Sequence, residues 1–342
     1  MNVTAAVPVT ETSQVAGARR IALWLATDLG FAEDRAGNAA LIATELATNL
    51  MKHARGGEIL LRPLCSESGE REGLEIAALD TGPGMDFGRS QRDGYSTTGT
   101  LGHGLGAVER LADAVDVYSH TSGTAIVATL RRTRANPEPA RGRYAVGAVH
   151  VAKPGEEVCG DDWSWRLRDD RLTILVADGL GHGLHAHDAA VAAVTTFATG
   201  SADPPARVIE DVHRALRATR GAAVAMLAVD LARGTAAYSG LGNITATILL
   251  PAGGRQHLVS HNGTAGHTAA RITEFNYAVP SGSTIVLATD GLSTHWDLTR
   301  YPGLGARSPS LIAAVLYRDF SRRRDDVTVV VAKERPAVAE KL

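Results

Sequence analysis

The sequence predicts an α+β protein of two units: an N-terminal α/β sandwich, then a C-terminal β-sandwich flanked by helices. Three observations predict it. Helix-period and strand-like runs mix up to residue 132, in the order expected of a sheet carrying helices. Residues 133–143, TRANPEPARGR, then break all periodicity with proline and arginine. Beyond them short strand-like runs dominate, with only two helical stretches between them. At about 150 residues per domain, a chain of 342 residues has room for two such units.

Each element has a local reason. Residues 14–29 put Val15, Ala18, Ile21, Ala22, Leu25 and Leu29 on one helical stripe, with Gly30 placed to end it. Residues 33–53 read as a second helix, burying Ile42, Leu46 and Leu50. Strand-like runs follow at 58–62, 74–80 and 125–130, with a helix expected at 106–115 between the last two. Residues 133–143 read as a solvated linker; contact of its arginines with an acidic partner is the alternative. After it, strands are expected at 171–178, 223–231, 234–240, 245–251, 283–290 and 326–333, and helices at 186–199 and 205–219. The expected division is 1–132, linker 133–143, 144–335, and a tail 336–342. No internal repeat or low-complexity tract is evident.

Composition bounds the function. Lys and Arg number 35 against 37 Asp and Glu, a net charge of −2, which argues against a protein working through a basic nucleic-acid surface. Hydrophobic residues make up 44% and charged residues 21%, an ordinary globular balance. Cys65 and Cys159 cannot build a disulfide framework and read as thiols of a reducing compartment. No run approaches the ~18–20 apolar residues that cross a bilayer. The N-terminus lacks the basic and apolar regions of a secretion signal. The expectation is a cytoplasmic protein with neither a nucleic-acid nor a membrane partner.

Three features of the first unit carry chemistry. In ELATNLMKHA, 45–54, Glu45 and Asn49 stand four residues apart on one helical face, with Lys52 and His53 one turn on. A carboxylate beside an amide suits a magnesium–phosphate site. In DTGPGM, 80–85, Asp80 ends a strand, where it can accept from an exocyclic amine such as that of adenine. Gly82 and Gly84 let the backbone approach a ring closely. LGHGLGAVERL, 101–111, reads as a glycine loop running into a helix, and helix N-terminal amides receive phosphate. SGT, 122–124, begins the next strand and can close the pocket. His103 reads as a loop residue.

In this order and spacing, residues 14–132 resemble the Bergerat-type ATP site of the GHKL superfamily. More narrowly they resemble the RsbT/RsbW/SpoIIAB-like anti-sigma serine kinases, including the GLGAVERLAD helix and the missing long lid. The resemblance implies ATP and Mg as cofactors. It gives Asn49 the Mg and Asp80 the adenine, with Glu45 orienting or deprotonating the acceptor hydroxyl. Lys52, Gly82, Gly84, Gly102, Gly104, Gly106 and Thr124 would complete the cofactor pocket. No phosphoacceptor-histidine helix pair accompanies them, which disfavours a sensor histidine kinase.

Four acidic clusters mark the second unit: CGDDW with Asp161 and Asp162, VADGLGHG with Asp178, ATDGLSTHW with Asp290, and RRRDDVTVVV with Asp325 and Asp326. A lone Asp-Gly at a strand end is commonly just a turn. Several rigid carboxylates that converge repel one another unless cations neutralise them. Paired Mg or Mn ions ~3.5–4 Å apart deprotonate a bridging water and bind phosphate. The combination resembles the PPM-type metal-dependent Ser/Thr phosphatases of the SpoIIE/RsbX-like branch. That resemblance implies two Mg or Mn ions, with Asp178 bridging and acting in catalysis and the Gly179 carbonyl on one ion. Asp290 and Asp325 would complete one shell, and Asp161 would act on the other side, mostly through water. Asp325 is preferred over Asp326 on register alone. His182 is expected near the metals, His185 and His187 as ordinary helix-start residues, and 322–324 as a solvated basic helix end.

Together the resemblances imply a bifunctional partner-switching regulator. It would phosphorylate a STAS-domain antagonist with ATP and dephosphorylate phospho-STAS protein, with stressosome proteins or a sigma factor among its partners. Relatives of the first unit often pair, which leaves a homodimer open. The alternative is a phosphatase whose N-terminal unit only binds ATP or a partner and regulates.

Overall fold

The computed structural model describes residues 4–65, 70–84, 101–133, 143–168, 170–200 and 204–335, with only the backbone of 101–103. Residues 134–142 of the expected linker and the tail 336–342 lie outside the described residues.

The first unit is one sheet with helices on one face. Its strands are β1 (Ala5–Val9), β2 (Gly57–Cys65), β3 (Arg71–Leu79), β4 (Ala114–His120) and β5 (Gly123–Arg131). They run antiparallel in the order β1-β2-β3-β5-β4. The helices are α1 (Thr12–Asp28), α2 (Glu33–His53) and α3 (Leu101–Leu111). At the start of α1, Glu11 and Gln14 form a capping box in which Gln14 Oε1 accepts from the Glu11 amide, and it accepts from the Thr10 amide as well. Gly30, at φ +75°, follows its end. In α2, Glu33 and Asp34 stand in the first turn and Lys52 and His53 in the last, each sign favourable to the helix dipole. The apolar stripes of these three helices, the ones among the described residues, close on Ile59, Leu61, Leu74, Ile76, Ile126 and Ala128 of the sheet.

The second unit stacks two antiparallel sheets. Its strands are β6 (Tyr144–Val151), β7 (Asp161–Arg168), β8 (Arg171–Gly179), β9 (Ala222–Asp230), β10 (Thr235–Leu241), β11 (Thr245–Leu249), β12 (Arg255–His257), β13 (Phe275–Ala278), β14 (Thr284–Ala288) and β15 (Val327–Glu334). One sheet has the order β13-β10-β9-β8-β7 and the other β12-β11-β14-β15-β6. Ile174, Val176, Leu227 and Tyr238 of one meet Ile248, Ile285, Leu287 and Val330 of the other in a dry core. Helices α4 (Leu184–Thr199) and α5 (Pro205–Ala215) cover the outer face of the first of these sheets.

The outer face of the second carries α6 (Pro309–Phe320), and α6 joins the two units. It is buried from Leu311 through Arg318. On one side it meets Val149, Val286, Val329 and Val331, and on the other Leu60, Ala77, Leu79, Tyr118 and Val127 of the first unit's sheet. The layers therefore run α1–α3, first sheet, α6, second sheet, third sheet, α4–α5. Polar pins flank the helix. Asp116 accepts from the Ser308 amide at 2.8 Å and pairs with Arg307 at 3.3 Å. Arg62, held by Glu75 at 2.8 Å, donates to Ser310 Oγ at 3.1 Å. The Thr4 amide donates to the His150 carbonyl at 3.1 Å.

Two sequence expectations change. The glycine loop expected to run into a helix within 101–111 is itself helical, so Gly102, Gly104 and Gly106 all lie within α3. The helix expected at 106–115 stops at Leu111, and β4 begins at Ala114.

Candidate nucleotide and metal sites

In the first unit a cavity of about 250 Å³ opens between α2 and the sheet, lined by Leu46, Asn49, His53, Asp80, Gly84, Thr124 and Ile126 among others. Asp80 sits just past the end of β3, and its Oδ1 accepts from the Gly82 amide at 2.8 Å and the Thr124 amide at 3.1 Å. Two amide donors hold one oxygen, which orients the carboxylate. Gly84 has φ +77°, and a Cβ there would collide with the His120 carbonyl oxygen, so only glycine lets this turn lie against β4. A Cβ on Gly104 would lie 2.7 Å from Glu45 Oε2 and 3.6 Å from Asn49 Oδ1, so α3 lays its glycine face on those two residues. The fold thus gathers Glu45, Asn49, Asp80, Gly84, Gly104 and Thr124. Lys52 is exposed and does not line the cavity. Burial first, and Lys52 second, lower the pKa of His53.

In the second unit, Asp178, Asp290 and Asp325 line one cavity of about 480 Å³ with Lys153, His182 and Asn243. Asp178 is the last residue but one of β8, Asp290 follows β14, and Asp325 precedes β15, so three strand ends bring them together. A Cβ at Gly179 would collide with the Ala186 carbonyl oxygen, so the residue after Asp178 must be glycine for α4 to start against β8. Burial, and then the charges of Asp290, Asp325 and Asp326, push the Asp178 carboxyl up to about 8. Burial and Asp325 also raise Asp290, while Asn243 Nδ2 donates to its Oδ2 at 2.8 Å.

Asp161 lies opposite Asp178 in the β7–β8 register, almost wholly buried, and its Oδ2 accepts from Thr289 Oγ1 at 2.7 Å. It therefore stands behind the cavity rather than in its lining. Asp326 is also buried; its Oδ1 accepts from the Lys153 amide at 2.9 Å, and its Oδ2 has no hydrogen-bond partner among the described residues. Burial first pushes Asp162 up to about 6. His182 Nδ1 lies 2.6 Å from Glu156 Oε1. His185 is exposed, and His187 donates to the Cys159 carbonyl at 2.9 Å.

Among the described residues no three His, Cys, Asp or Glu side chains form a ready-made metal cage. The donor set still suits hard divalent cations: converging carboxylates resist ionisation beside one another, and a buried oxygen of Asp326 is unpaired. Lys153, Asn243, Glu156 and Thr289 were not singled out in the sequence. Of these, only Thr289 had a local signal, as the neighbour of Asp290.

Comparison with known proteins agrees with this geometry. The family described as histidine kinase-like ATPase domain matches residues 7–130, and that described as Stage II sporulation protein E (SpoIIE) matches residues 168–335. The serine/threonine-protein kinase RsbT of Bacillus subtilis (strain 168) is 34% identical over 106 residues, 31% of this chain and 78% of that protein. The phosphoserine phosphatase RsbX of the same organism is 24% identical over 181 residues, 53% of this chain and 90% of that protein. A solved structure described as "The bacterial stressosome: a modular system that has been adapted to control secondary messenger signaling" superposes with a TM-score of 0.53 at 26% identity. It covers 56% of this chain and 99% of its own. The N-terminal part of the chain therefore belongs to the histidine kinase-like ATPase family, and its C-terminal part matches the SpoIIE family and is similar to the phosphatase RsbX.

Proposed function

We propose that this chain is a bifunctional partner-switching regulator, with 1–132 and 144–335 as its working units. The first transfers phosphate from ATP to a Ser or Thr of a STAS-domain antagonist. The second removes phosphate from such a protein with metal-activated water, so that the balance controls a sigma-factor or stress response. The observation that carries the reading is the pair of unlike cavities in one chain: an apolar one with Asp80 at its wall, and one lined by Asp178, Asp290 and Asp325. The kinase and phosphatase named among its relatives, and the stressosome structure, support it.

In the first unit Asp80 would read adenine, Asn49 would hold Mg, and Glu45 would orient or deprotonate the acceptor hydroxyl. Gly102, Gly104 and Gly106 act from within α3. Such transfer is mainly positioning and charge neutralisation. In the second unit Asp178, Asp290, Asp325 and the Gly179 carbonyl, with Asp161 behind them, would hold two Mg or Mn ions. Bound ions lower the pKa of water and neutralise phosphoryl charge. Asn243 holds Asp290, Thr289 holds Asp161, and Lys153 brings a positive charge to the cavity where a phosphate enters. A sigma factor and a second copy of the chain are further partners in this reading.

The test is direct. With a STAS protein and ATP, phosphate transfer is expected and should vanish in Asn49→Ala. With the phosphorylated protein and Mn, release is expected and should vanish in Asp178→Asn. Absence of both activities on every STAS protein tried would overturn the proposal. The shared core around α6 favours one second reading, in which the first unit only binds ATP or a partner and regulates the phosphatase. A change of phosphatase activity in Asn49→Ala, with no kinase activity to lose, selects it.

A further inference from the structure

Glu58 belongs to β2 of the first unit, but its carboxylate engages the second. Its Oε2 accepts from Arg323 Nη1 at 2.7 Å and its Oε1 from the Tyr317 hydroxyl at 3.3 Å. Arg323 also donates to the Tyr317 hydroxyl at 3.1 Å, and its guanidinium lies 4.6 Å from the centre of that ring. Arg323 is therefore not the solvated end of a basic run. It is the middle of the turn between α6 and β15, and it holds φ +56°, a left-handed conformation that a residue with a side chain keeps only when its surroundings impose it.

That turn presents the carboxylates. Asp325, two residues on, lines the metal-type cavity, and Asp326 follows, with one buried oxygen unpaired among the described residues. The turn is tied to the neighbouring strand end as well, since the Arg322 amide donates to the carbonyl of Gly291, next to Asp290. On the other side, Glu58 stands opposite Leu79 in the β2–β3 register, one residue before Asp80.

We propose that Glu58 is a positioning residue for the metal centre of the other unit: by holding Arg323 and Tyr317 it fixes the turn that presents Asp325 and Asp326, so the kinase-like unit sets the metal affinity of the phosphatase-like unit. The proposal rests on the metal-site reading above and deepens it. Residues that orient metal ligands without touching the ion typically change affinity by about 10–100-fold when removed.

The experiment is Mn²⁺ titration of the nucleotide-free full chain by calorimetry, with a thermal melt of every variant. Glu58→Ala should weaken Mn²⁺ binding by about tenfold. Glu58→Gln, which keeps an acceptor, should weaken it less. Arg323→Ala should match Glu58→Ala, and the double variant should bind no more weakly than either single one, since one linkage is broken once. Asp116→Asn loosens the other end of α6 and should leave Mn²⁺ binding unchanged even where it lowers Tm. Unchanged affinity in folded Glu58→Ala, additive losses in the double variant, or an equal loss in Asp116→Asn would each overturn the proposal. A folded wild type that binds no Mn²⁺ would instead overturn the metal-site reading itself, so the two failures are distinguishable.

Discussion

At Asp178, burial and three neighbouring carboxylates hold the acid form well above its ordinary range, to about 8. Between the unfolded value near 3.8 and about 8, the Asp178 carboxyl therefore holds more proton in the metal-free folded chain than in the unfolded one. Its contribution to stability falls as pH rises through that window. The expected outcome is a metal-free Tm that declines from about pH 5 to about pH 8, less steeply in Asp178→Asn. Mn²⁺ should bind more tightly at the upper end, because binding there displaces fewer protons. Asp80 makes a separate prediction. Asp80→Ala leaves the Gly82 and Thr124 amides without their acceptor, at a cost of about 1–3 kcal/mol, and should abolish binding of a fluorescent ATP analogue. Asp80, Asp178 and Asp290 were legible in the sequence, because an acid at the end of an apolar strand is a local pattern; Asp325 was separable from Asp326 by register alone. Lys153 and Asn243 in the cavity lining, and Glu156 against His182, were not legible, because only the stacking of distant elements brings them there.

At the scale of elements, the strands foreseen from the sequence are the interior ones: β2, β3 and β5; β8, β9 and β10; β11, β14 and β15. Those not foreseen, β1, β4, β6, β7, β12 and β13, are the six sheet edges among the described residues. Interior strands are buried on both faces and read as apolar runs. An edge strand can carry proline, as Pro8 in β1, or polar residues, as in DDWSWRLR of β7. Helix α6 escaped for the opposite reason. Its LIAAVLY core is apolar all round, so no stripe marks it as a helix, and burial between two sheets is what such a helix needs. Leu316→Ala within it should cost about 2–5 kcal/mol, seen as a lower midpoint in urea.

The whole molecule is a stack in which α6 is core to both units. The chain should therefore unfold in a single transition rather than two, and Mn²⁺ should raise the Tm of the N-terminal unit along with that of the C-terminal one. Differential scanning calorimetry with and without Mn²⁺ checks this; two separate peaks, only one of them moved by the metal, would mean that the shared core does not couple the units. The two-unit order was readable from the sequence, but their junction was not, because it joins β2, β3, β4 and β5 to a helix some 200 residues away. The most direct test of the central claim is hydrolysis of an aryl phosphate and of a phosphoserine peptide by the wild type and by Asp178→Asn, with Mn²⁺ titrated in. The account predicts hydrolysis that rises with Mn²⁺ to saturation in the wild type and stays at background in Asp178→Asn. A well-folded wild type that hydrolyses neither substrate at saturating Mn²⁺, or an Asp178→Asn variant as active as the wild type, would contradict it.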